Sequence, residues 1–311
     1  NVARALGLPL WTRRLPPDAS WGPIPDDFGD LETASAWGRI VLTNPPLRWT
    51  GHRTWLRDMA MARIAAGDAF SGWLSRRLRL DPVMGNRISA SAMTLLAMYA
   101  RASLGADVSL EDRPARPWSE NCSLSYAAAE TRAWFVARLL RLQALSRHRR
   151  SASAEAISFA GYTFVRLQTM ERLTAEARAM RHCVASYAGD VALGRRIIFS
   201  LRKGEESLAT LDLAPATHLS PAPRLNQIAG VLNAKPSEHL ITVARSWLLW
   251  MQNKYDWGSS GMASIHAKVW RDAWRPFCGA NGAQGLFPME PTDANIRRLE
   301  ASLHLMGLRL R

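Results

Sequence analysis

Cysteine is scarce in this 311-residue chain, with three residues at positions 122, 183 and 278 that are odd in number and far apart. That excludes a disulfide framework and predicts a reducing, cytoplasmic setting. No CxxC or HxxxH spacing occurs, so no zinc or other metal site is expected. No segment approaches the roughly 20 apolar residues of a membrane span. The opening residues hold no apolar run of signal-peptide length. A soluble protein without a membrane partner is therefore expected. A glycine-rich phosphate loop and a carboxylate cluster for two-metal chemistry are also missing, and no cofactor is predicted.

Lysine is nearly as rare. Only four of the 40 basic residues are Lys (203, 235, 254 and 268), and the rest are Arg. Against 26 acidic residues this leaves a net charge of +14. Arginine presents a planar fork to phosphates and a face for stacking, so nucleic acid is the expected partner. The chain also holds 13 Trp against 8 Phe and 5 Tyr, and many stand beside Arg. Two strips suit single-strand contact, where bases stack on aromatics and cations meet phosphates. One is Arg48, Trp49, Arg53, Trp55 and Arg57; the other is Trp270, Arg271, Trp274 and Arg275. The competing explanation is helix cores whose Trp edges are covered by Arg stems.

The pattern along the chain predicts an α+β fold that is predominantly helical. Residues 1–49 carry seven prolines and little periodicity, and read as an extended arm. Residues 50–155 read as helices, with Gly67 and Gly105 ending two of them. Residues 156–253 change in grammar, and predict a small, mostly antiparallel sheet flanked by helices. Strands are expected in "GYTFVRLQT", "RIIFSLR", "SLATLDL" and "RLNQIAG", and a helix in "KPSEHLITVARSWLLWMQNKY". "RHRRSASAEA" reads as a linker or a helix end. Residues 254–311 form a predicted helical C-terminal cap.

The segment "LTAEARAMRHCVASYAGDVALGRRIIFSLR", followed by "ATLDL" and "NQIAGVLNAKPS", resembles the PcfJ-like family. The matching positions are His182, Cys183, Val184, Tyr187, Gly194, Ile198, Ser200, Arg202, Thr210, Leu211, Gln227, Gly230 and Asn233. One position departs: Asp212 stands where the family usually has Glu, which shortens the reach of that carboxylate. The resemblance implies an accessory factor of conjugative and other mobile elements, and it implies no particular reaction.

A helix over residues 174–188, capped by Thr174, would put Cys183 and Tyr187 on one face, four residues apart. Cys183 then reads as a small packed core residue. His182 would point elsewhere, toward the sheet. Alternation along the strands puts Leu211 and Leu213 on one face and Thr210 and Asp212 on the other. The candidate pocket is His182, Tyr187, Ser200, Thr210, Asp212, Gln227 and Asn233, with Gln227 and Asn233 meeting a base or phosphate; a merely solvated face is the alternative. Three functions follow as expectations. The first is a nucleic-acid-binding accessory protein of a mobile element, contacting single-stranded DNA or RNA, with a possible protein partner or nucleoprotein assembly. The second is an enzyme acting on a nucleic acid or nucleotide with His182 as acid/base. The third is a scaffold subunit.

Overall fold

The computed structural model describes residues 55–80, 90–105, 108–148, 156–216, 222–252 and 265–278, and short pieces between 290 and 302. The predicted N-terminal arm lies outside them. The chain forms two compact units: residues 1–135, 274–289 and 297–311 make one, and residues 136–273 and 290–296 the other.

The first unit is helical. α1 (Trp55–Leu80) is two helices merged at Gly67, whose φ of 84° no L side chain adopts easily. α2 (Ala90–Leu104) follows, and α3 (Leu124–His148) begins in this unit. Phe70, Trp73 and Trp118 pack ring against ring at centroid distances of 5.4–5.8 Å.

The second unit holds a five-stranded sheet in the order β1-β2-β3-β4-β5, every pair antiparallel. The strands are β1 (Ala156–Phe159), β2 (Tyr162–Arg166), β3 (Ile197–Lys203), β4 (Glu206–Ala214) and β5 (Arg224–Ala229). Between β2 and β3 run α4 (Met170–Met180), a 3-10 turn (Val184–Tyr187) and the short α5 (Ala188–Ala192). α6 (Glu238–Gln252) and α7 (Ala267–Cys278) complete the described helices. The expected helix-dominated α+β class is present. β1 is the strand that sequence did not foresee; it starts at the last residue of the stretch read as a linker or a helix end.

The sheet's two faces differ in chemistry. Phe164, Phe199, Leu201, Leu211 and Leu213 face α6 and pack on Val243, Trp247 and Met251. Trp247 stacks on Phe164 at 4.1 Å and 4°. The opposite face carries Ser200, Thr210 and Asp212, all buried, toward α4. Among the described residues no helix is long and apolar enough to cross a membrane.

A candidate binding cleft on the polar face of the sheet

Two backbone events build the site. Thr169 caps α4, its hydroxyl accepting from the Arg172 amide at 3.2 Å. At the other end Arg181 takes a left-handed conformation (φ 51°, ψ 47°) and stops the helix. The cap therefore lies at Thr169 and not at Thr174, and the helix ends well short of residue 188. The reason is local: the amides of Arg181 and His182 both turn back to the Ala177 carbonyl, closing the last turn. This corrects the expected geometry of Cys183. It lies past the helix end and is exposed, not packed in the core. Its sulfur lies 3.9 Å from the Tyr187 hydroxyl.

The same turn aims His182 at the sheet. Its Nε2 lies 2.9 Å from Thr210 Oγ1. The Thr210 hydroxyl donates to Glu176 Oε1 at 2.8 Å. A hydroxyl has one proton and an ionised carboxylate has none, so Nε2 must carry the proton and donate to Thr210. His182 Nδ1 accepts from the Val184 amide at 3.4 Å, which fits the same tautomer. Both ring nitrogens are thus engaged by the protein.

Glu176 anchors this chain. It is 1% exposed, yet its oxygens are well met. Ser207 donates to Oε2 at 2.9 Å, and the Arg202 guanidinium lies 3.5 Å away. Arg202 also donates to Ser200 at 3.0 Å, and the Ser200 and Ser207 hydroxyls are 3.2 Å apart. With the Ser207 proton given to Glu176, Ser200 donates to Ser207, and every link has one direction. A buried carboxylate persists when its hydrogen bonds are complete and a cation balances it. Ser200 therefore belongs to this layer under the cleft and not to its lining.

The cleft is lined by His182, Cys183, Val184, Tyr187, Ile198, Thr210, Asp212, Gln227, Ala229 and Asn233, and is a shallow, open cavity of about 30 Å³. Six of the seven expected pocket residues meet here. The bulge that pairs Asp212 with Gln227 and Leu213 with Leu225 brings Asn226 beside Asp212. Asp212 is nearly buried, and its Oδ2 binds Arg196 at 2.5 Å. Its Oδ1 has no accessible surface, and the Asn226 side chain is the neighbouring donor to the carboxylate. Burial pushes the Asp212 carboxyl above the usual range, opposed by Arg196 and by the nearby Asn226. Arg196 is shared with Asp190 at 3.3 Å and lies over the Tyr187 ring at 4.2 Å. Gln227 and Asn233 are exposed, and neither carboxamide has a hydrogen-bond partner among the described residues. No group of three metal-ligating side chains occurs among the described residues.

The family model described as PcfJ-like protein matches residues 136–243. This segment is similar to PcfJ-like proteins. No curated protein and no solved structure matches the chain. The PcfJ-like segment contains every cleft residue, along with Glu176, Ser200, Arg202 and Ser207.

The Arg–Trp strips fare differently. Arg48, Trp49 and Arg53, and the side chains of Trp55 and Arg57, lie outside the described residues. Trp270 and Trp274 are both fully buried, so neither ring is a surface platform. Only Arg271 and Arg275 of that strip are exposed, and Arg271 pairs with Glu290 at 2.5 Å. Trp73, Trp118, Trp134 and Trp247 are likewise core residues. Sequence reasoning missed Glu176 and Arg196. The signal for Glu176 was its place on the Leu173–Met180 stripe of an amphipathic helix, where a carboxylate needs partners.

Proposed function

We propose that the protein is a nucleic-acid-binding accessory factor that holds single-stranded DNA or RNA by its arginine-rich surface and takes one nucleotide unit into the cleft. The carrying observation is how the cleft is furnished. His182 is locked by its own fold, while the Gln227 and Asn233 carboxamides stand exposed and uncommitted. Such amides donate and accept, as base recognition requires. The net charge of +14 supports a polyanionic partner, and Arg178, Arg181, Arg195, Arg224 and Arg245 are exposed on the same unit. The mobile-element setting rests on the PcfJ-like resemblance. Proton transfer by His182 draws less support, because a general acid or base must turn a ring nitrogen to its substrate.

Fluorescence anisotropy with labelled single-stranded oligonucleotides, DNA and RNA, tests this reading across a salt series. Tight binding at low salt that weakens steeply is expected. H182Q, which can still donate to Thr210, should bind better than H182A. A flat salt response, or no binding at low salt, would overturn the proposal.

A further inference from the structure

The tryptophans whose side chains are described serve the cores: all are buried except Trp250, which packs on Phe159. A bound nucleic acid therefore finds no open indole face among them, and apolar contact with its bases falls to exposed aliphatic side chains. On the unit that carries the sheet, the exposed large aliphatic residues among those described are Leu145, Val231, Leu232 and Leu249. Val231 and Leu232 are the adjacent pair, 45% and 65% exposed. They form a knuckle between β5 and α6, directly before Asn233 of the cleft lining.

Packing does not explain this leucine. Leu232 and Asn233 both have left-handed φ values, 57° and 60°. Asparagine offsets that conformation through local hydrogen bonds, and leucine has no such means. The loop is nonetheless fixed. The Gly230 amide donates to the Ala234 carbonyl at 2.8 Å, and the Ala234 amide to the Val231 carbonyl at 3.0 Å. A Cβ at residue 230 would press on the Ala234 oxygen at 3.2 Å. Strain held by its surroundings is found at ligand clamps. The neighbouring groups indicate which ligand. The Gln227 and Asn233 carboxamides are uncommitted and suit base edges. Arg181, next to His182 of the cleft, is exposed and has no ion pair among the described residues, so it is free for a phosphate. Lys235 and Glu238 cancel each other at 2.5 Å. The local balance is therefore cationic, which favours a polyanion over an apolar protein pocket. The cleft is shallow, about 30 Å³, so a base whose edge reaches these amides leaves its faces for the rim to cover.

We propose that Leu232, with Val231 at its side, is an apolar wedge that enters between two neighbouring bases of a bound single strand and turns one of them toward the Gln227 and Asn233 amides. This rests on the nucleic-acid reading above and names the surface that the base faces meet. Aliphatic wedges part stacked bases in kinked duplexes. A single strand yields more readily, because no base pair has to open. The wedge touches base faces, which every base has, so it reads no sequence by itself.

2-Aminopurine supplies the test, because stacked neighbours quench its emission and an aliphatic group that parts them restores it. Single-stranded dA oligonucleotides carrying one central 2-aminopurine are titrated with the full chain as wild type, L232G and L232M. Anisotropy of a labelled dA oligonucleotide is read across the salt series in parallel. Wild type should brighten the probe, L232M should keep most of that gain, and L232G should lose it. L232G should also bind about tenfold more weakly, the scale of burying one leucine side chain, with an unchanged salt slope. Glycine accepts the left-handed φ, and the relief of strain offsets the freedom it adds to the unfolded chain, so L232G should melt close to wild type. A marked loss of stability would make Leu232 a packing residue and overturn the inference. Equal brightening by wild type and L232G, or a bound probe that does not brighten, would also overturn it; the nucleic-acid reading would stand, and the knuckle would be left as a protein contact. If no oligonucleotide binds, both fall.

Discussion

At the scale of single residues, Thr210 is the pivot. Its hydroxyl receives the His182 proton donor and gives its own proton to Glu176, so one side chain sets an imidazole's tautomer and completes a buried carboxylate. T210V has nearly the same shape and removes both bonds. It should lower stability by about 1–3 kcal/mol, since a buried donor and a buried charge each lose a partner. T210S should recover most of that. Urea unfolding of the three proteins checks the order; equal stability of T210V and wild type would show that the chain carries no energy. The polar alternation of Thr210 and Asp212 was legible in the sequence because strand period two is strict. The exposure of Cys183 was not. It depends on a left-handed Arg181, and nothing in "AMRHCV" distinguishes an arginine that ends a helix from one that continues it.

At the scale of elements, the sheet works as a partition. One face is sealed by α6, and the other is left for hydrogen-bond chemistry. The apolar stripe of α6 was readable as Leu240, Val243, Trp247 and Met251; the last three are buried against the sheet, and Leu240 packs beside them partly buried. The β3, β4 and β5 strands were readable too, from their β-branched and apolar runs. β1 was not, because "RSASAEAISF" is short of such residues and is recruited by pairing with β2 rather than by its own propensity. The same separation of faces bounds what a core mutation does. W247A, which removes a ring stacked on Phe164 and edge-to-face with Phe199, should destabilise by about 3–5 kcal/mol. Because Trp247 lies on the far side from the cleft, oligonucleotide affinity measured on the folded fraction at low temperature should stay within about twofold. A large loss there would mean that the two faces are not independent.

At the scale of the whole molecule, the tryptophan-rich composition has a structural explanation in the described residues, and the arginine excess does not. The buried rings fill helix cores and the sheet's apolar face. Exposed arginines are the feature on which the proposed nucleic-acid contact rests. The salt series therefore carries quantitative content: the slope of log affinity against log salt should be about −0.7 for each phosphate engaged on a single strand. Replacing one exposed arginine that contacts the strand, such as Arg181 next to His182, should lower the slope by about that step. Replacing an uncharged cleft residue, as in Q227A, should leave the slope unchanged. This separates what holds the polymer from what examines it.

The exposed thiol at the cleft wall gives the molecule a built-in reporter. Cys122 is only partly accessible, and burial pushes its thiol up, away from the reactive thiolate at neutral pH. In a C278S background a maleimide should therefore modify Cys183 first. An oligonucleotide lying across the cleft would shield that sulfur, so alkylation timed by mass spectrometry should slow in proportion to occupancy. Unchanged labelling at saturating oligonucleotide would place the ligand elsewhere.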